Sequence, residues 1–164
     1  MKYAEQVKVL PILAAQDIAA TATATSYFDV SKALGPIEIA FNFGVVTSTD
    51  STGEAIVTIE ASTAGSSNAT EVAIPFKYRL SAAVNTDNMG AITDATSNGV
   101  GFTQGDDNKI LLAYVDPAAL AALGADYNWL RGVISPTTEV SATLVQVTAR
   151  FRPRYAGNAI ASDT

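Results

Sequence analysis

The chain has 164 residues, 48% of them hydrophobic and 16% charged, with a net charge of −6 and neither Cys nor His. The acidic balance argues against general nucleic-acid binding, which needs cations to replace phosphate counterions, and against an anionic membrane surface. Without Cys and His there are no disulfides, thiolate metal sites or Ser-His-Asp and Cys-His triads, and no stretch approaches the ~20 apolar residues of a membrane span.

Residues 1–20 carry no clean turn punctuation and are expected to form a first strand or an arm laid on a neighbour. Glu5, Lys8 and Pro11 interrupt any signal-peptide core, so synthesis in the cytoplasm is expected. Residues 21–155 read as one domain, opening with a weak strand at 22–30. In 37–46, IEIAFNFGVV, strict alternation predicts a strand with Ile37, Ile39, Phe41, Phe43 and Val45 on one face and Glu38, Ala40 and Asn42 on the other. The same pattern recurs in 54–62, where Ala55, Val57, Ile59 and Ala61 share a face. The turn-rich run Ser48–Gly53 between them predicts a hairpin.

Residues 71–80 predict a further strand, at an edge or bulged because Pro75 lacks an N–H donor. The stretch 81–108 reads as a loop-rich surface excursion with a short strand near Val100–Phe102. The continuous apolar run 109–115 predicts a central strand. Asp116, Pro117 and Gly124 bracket a short helical turn at 117–123 with an N-cap, a Pro at N1 and a C-terminal Gly. The last two strands, 127–134 and 139–151, are joined by Ser135–Thr138, a second hairpin signal, and the small, polar tail 156–164 is expected to be flexible. The expectation is an all-β fold: a single antiparallel β-sandwich or barrel, jelly-roll or immunoglobulin-like.

The residues offer little catalytic apparatus. Ser31 and Lys32 are adjacent, and neighbouring strand residues face opposite ways, so they make no dyad. Glu38, Glu54, Glu60 and Glu71 lie on or beside strands and read as solvated faces rather than a catalytic pair. The oxygen-rich runs Gly105–Asn108 and Asp87–Asn88 could approach Ca²⁺, but neither has EF-hand spacing and both read as Asx turns. No enzyme activity, cofactor or metal is expected.

Two features point to contacts with other proteins. Arg150, Arg152 and Arg154 put three of the ten cations within five residues, with Arg150 and Arg152 on one strand face. They read either as a solvated strand end paired with local carboxylates or as an interface patch meeting carboxylates on a neighbour. Trp129, the single Trp, is expected to share a strand face with Tyr127 and Arg131, either as packing or as an interface anchor, with a carbohydrate platform as the alternative.

The segments KYAEQVKVLPIL, IPFKYRLSAAVNTDNMGAIT, DDNKILLAYVDPAAL and LVQVTARFRPRY together resemble small structural proteins of tailed-bacteriophage virions, in particular head decoration or cement-type proteins. That resemblance implies a β-sandwich or β-barrel module, often trimeric, that binds the assembled capsid and braces it against internal DNA pressure. Its partners would be the major capsid protein or other virion proteins, its location the virion, and its role non-enzymatic. It assigns no functional residue. A tail-tube, head–tail joining or fibre-associated part, or a carbohydrate-binding module, are the other readings.

Overall fold

The computed structural model describes residues 7–19, 21–66, 69–83, 86 and 88–153. Alternation of apolar and polar residues drives more than half of it into strands. In chain order these are β1 (Lys8–Ile18), β2 (Thr23–Ala24), β3 (Phe28–Asp29), β4 (Ile37–Ser48), β5 (Glu54–Ser62), β6 (Glu71–Ile74), β7 (Phe76–Leu80), β8 (Thr93–Ala95), β9 (Val100–Thr103), β10 (Ile110–Val115), β11 (Trp129–Pro136) and β12 (Val140–Phe151). One short helix, α1 (Pro117–Leu123), lies between β10 and β11.

The strands form two antiparallel sheets. The first runs in the order β1-β12-β4-β10-β7-β8. The second runs β2-β11-β5-β6, with β3 also on β11 and β9 also on β5. Their inner faces make one core, in which Ile37, Ile39 and Phe41 of the first sheet meet Val57, Ile59 and Leu130 of the second, all fully buried. Two aromatic pairs tie the layers together. Phe43 stacks on Phe102 at 4.1 Å between ring centres, and Phe28 on Phe151 at 6.3 Å. Gly132 of β11 sits where an added Cβ would come within 2.7 Å of the Phe41 ring, so the sheets approach closely there because this residue has no side chain.

Both expected hairpins are absent. β4 pairs with β10 and β12, whereas β5 pairs with β11, β6 and β9. The Ser48–Gly53 turn therefore carries the chain across the sandwich from one sheet to the other. The Ser135–Thr138 segment does the same between β11 and β12. The two arches lie side by side, joined by Thr49 N–H donating to the Glu139 carbonyl at 2.8 Å. A hairpin and an arch demand the same alternation, since each strand needs only one apolar face toward the core.

Three local expectations also change. The strand expected at 71–80 breaks at Pro75, and the chain switches there from β6 in one sheet to β7 in the other. The strand expected at 22–30 shrinks to β2 and β3, and the 81–108 excursion contributes β8 as well as β9. Val45 is not in the core: it is 54% exposed, and Val46 is buried in its stead. The register between β4 and β12 slips between Thr143 and Val145, so β4 carries one extra residue, a bulge that inverts its alternation. The Asp107 carboxylate accepts the Val46 N–H at 2.7 Å.

β1 pairs with β12 of its own chain along its whole length, with two register irregularities, and is an edge of the first sheet. Helix α1 forms as its caps dictate: the Asp116 carboxylate accepts the Ala118 N–H at 2.9 Å, Pro117 begins the helix, and Gly124 ends it at φ +149°. Leu120 is its one buried side chain.

Candidate interaction surfaces

Three groups of charged side chains are held by one another across strands: Arg131 with Glu60 and Glu71, Arg150 with Glu38, and Lys77 with Asp94. On the outer face of the second sheet, Arg131 lies opposite Glu60. Its Nε donates to Glu60 Oε2 at 2.7 Å and its Nη2 to Glu71 Oε2 at 2.5 Å. The guanidinium also lies 4.8 Å from the Tyr27 ring centre, and the Tyr27 hydroxyl donates to Glu71. These side chains are roughly four-fifths buried (Arg131 is 18% exposed), so the cluster is part of how this face is built.

Trp129 lies on the same outer face as Arg131, but Tyr127 does not join them: it precedes β11 and packs against the core. The indole lies against Gly65, where an added Cβ would fall 2.7 Å from the ring. The 62–66 segment thus covers Trp129 rather than leaving it as an open platform.

On the first sheet, Arg150 faces Glu38 across β12 and β4, with Nη1 3.3 Å from Oε1. Arg152 is exposed one step further on the same face. Its carbonyl accepts the Leu34 N–H at 2.6 Å, which fixes it beside Leu34, a side chain 54% exposed. Arg154 lies outside the described residues. The expected arginine patch therefore divides: Arg150 is paired, and Arg152 stands next to an exposed leucine. That leucine belongs to a turn far away in the chain, and no local pattern marks it.

The same face continues through Tyr114, which lies opposite both Glu38 and Lys77, to the Lys77–Asp94 pair at 2.5 Å. Partial burial pushes the Tyr114 phenol above its ordinary value, and the neighbouring Glu38 carboxylate adds to this while Arg79 opposes it. A cleft of about 430 Å³ opens beside this row, lined by Pro36, Phe76, Tyr114 and Ala119 among others.

The oxygen-rich loop has structural occupations. Asp106 accepts from the Thr103 N–H at 3.2 Å and from Lys109 Nζ at 3.0 Å, closing a capping box on the 3₁₀ turn at Gln104–Asp106. Asp107 holds the β4 bulge. Among the described residues, no three His, Cys, Asp or Glu side chains come together as a metal site. Asp87 lies outside the described residues, and Ser31 and Lys32 are exposed in a turn.

No protein-family model matches the chain, and no curated protein matches it. Among solved structures it is similar, at 8% identity and a TM-score of 0.26, to a chain of the infectious bursal disease virus Gt strain, covering 97% of this chain and 42% of that one. To a chain of the infectious bursal disease virus Gx strain the identity is 11% and the TM-score 0.21, over 90% of this chain and 40% of the other.

Proposed function

We propose that this chain is a non-enzymatic structural protein of a tailed-phage virion, a head decoration or cement-type module that binds the capsid lattice and stabilises it. The reading rests on the segment-level resemblance and is compatible with a two-sheet sandwich in which many of the described carboxylates are engaged in strand pairs and turn caps. The observation that carries it to a surface is the exposed Arg152 held beside the half-exposed Leu34. Arg is enriched at interface centres, where its planar fork of donors matches a carboxylate. Capsid protein carboxylates would meet the guanidinium, and Leu34 would be desolvated. The chain would act as a homo-oligomer located in the virion.

The test is co-sedimentation with undecorated capsids of the phage that encodes it. Binding that falls at least about tenfold for Leu34→Asp with Arg152→Glu is the expected result. Wild-type protein that stays in the supernatant overturns the head reading, and ring-sized assemblies indifferent to capsids move the role to the tail.

A further inference from the structure

The outer face of the first sheet carries a row of charges whose order has a consequence for self-association. The strand register aligns Arg150, Glu38, Tyr114, Lys77 and Asp94 side by side across β12, β4, β10, β7 and β8. In sign the row reads plus, minus, neutral, plus, minus. Reversed, it reads minus, plus, neutral, minus, plus. A row of this order is its own complement about its centre, and the centre is Tyr114 on β10.

We propose that the outer face of the six-stranded sheet is a self-complementary docking surface, which seats a second copy of this chain about a two-fold axis running along β10. A two-fold axis in the plane of contact places each strand opposite the one equally far on the other side of β10, as an isologous interface requires. Glu38 then faces the partner copy's Lys77, and Arg150 faces its Asp94. The intrachain pairs Arg150–Glu38 and Lys77–Asp94 become two halves of a four-charge network on each side of the axis.

The axis itself is apolar. The outward residues of β10 are Ile110, Leu112 and Tyr114, each of which would meet its own mate. On either side of Leu112 stand Ala40 and Arg79, so the axis sets the longest side chain of that row over the smallest. The charges keep a solvent-facing side: Lys77 is 62%, Asp94 80%, Arg150 46% and Glu38 26% exposed. Strands lie ~4.8 Å apart and facing sheets ~10 Å apart, a gap that Lys and Glu side chains close together. Twisted sheets stack at about −30°, so register holds best near the axis. The Glu38–Lys77 contacts, one strand from it, are therefore the pair to perturb. This contact does not rest on the virion reading, since it would form in solution without any capsid.

Sedimentation equilibrium of the full chain is expected to show a dimer that weakens with salt. Glu38→Lys and Lys77→Glu place like charges across the interface and should each weaken it at least about tenfold. Mixing the two variants sets two Lys against two Glu and should restore a heterodimer, as should the Glu38→Lys/Lys77→Glu double exchange in one chain. Both positions are on the outer face, so thermal unfolding reports whether each variant is folded. A wild-type monomer or trimer, single variants that dimerise like the wild type, or a mixture that stays monomeric would each overturn the proposal. Loss of capsid binding with the dimer intact would leave it standing and count against the virion reading alone.

Discussion

Gly132→Ala tests the closest approach of the two sheets. Two effects of opposite sign compete. A glycine inside a strand costs about 0.5–1 kcal/mol relative to alanine, through its greater freedom in the unfolded chain, so the substitution should stabilise if the methyl has room. It has none: the new Cβ would lie 2.7 Å from Phe41 Cζ and 2.9 Å from Cε1. Ordinary carbon contacts are about 3.5–4.0 Å. Phe41 is fully buried and cannot swing outward, so either its ring leaves its rotamer or the sheets part locally. Overpacking of this kind costs about 1–3 kcal/mol. The net expectation is a loss of up to about 2.5 kcal/mol, or a fall of up to roughly 10 °C in Tm for a domain of this size. Urea denaturation of wild type, Gly132→Ala, Phe41→Leu and the double variant measures it. The shorter Leu should relieve the methyl, so the double variant should be more stable than the sum of the singles by at least about 0.5 kcal/mol. A Gly132→Ala protein more stable than the wild type, or strictly additive effects, would refute the reasoning.

Arg131→Met should cost about 1–3 kcal/mol in the same assay, because it leaves Glu60 and Glu71 close together with no cation between them; the figure is set below that of a fully buried pair since the three side chains retain some solvent. Gly65→Ala should displace the indole of Trp129, read directly as a shift in the emission of the single Trp, with little change in the far-ultraviolet spectrum. The arch carboxylates give a pH prediction. Asp50 is held below its ordinary range by the Thr52 hydroxyl and backbone, and Glu139 by the hydroxyls of Thr138 and Thr137. A carboxylate depressed in the folded state stabilises it above the unfolded pKa, and that contribution disappears as pH falls through the folded one. Asp50→Asn should therefore flatten the acid limb of the stability profile below about pH 4 and leave its slope near neutrality unchanged.

Strand positions were legible because the solvent enforces them. Each half-buried strand must alternate, so the pattern alone sets Ile37, Ile39, Phe41 and Phe43 on one face, and likewise Ala55, Val57, Ile59 and Ala61, and all are buried. The short helix was equally readable, since its cap and its proline act within a few residues. The exception among these is Val45, where an extra residue opposite Leu144 inverts the pattern, and only the partner strand determines that a bulge occurs there.

Alternation states which face is inward but not which sheet the strand joins. A turn that folds β4 back onto its own sheet and one that carries β5 to the opposite sheet look alike in one dimension, because backbone hydrogen bonds are chemically identical for every partner. Only packing, through contacts such as Phe41 against Gly132, selects the arch. The candidate surfaces depend on that choice. Arg150 was visible as a charge, but its place beside Glu38 and in line with Tyr114, Lys77 and Asp94 exists only once five strands from across the chain lie in register. Composition and alternation determined an acidic all-β chain and most of its core; the order of its strands, and with it the complementary row on the outer face, came from tertiary pairing, because residues distant in sequence become neighbours only when the sheet is assembled.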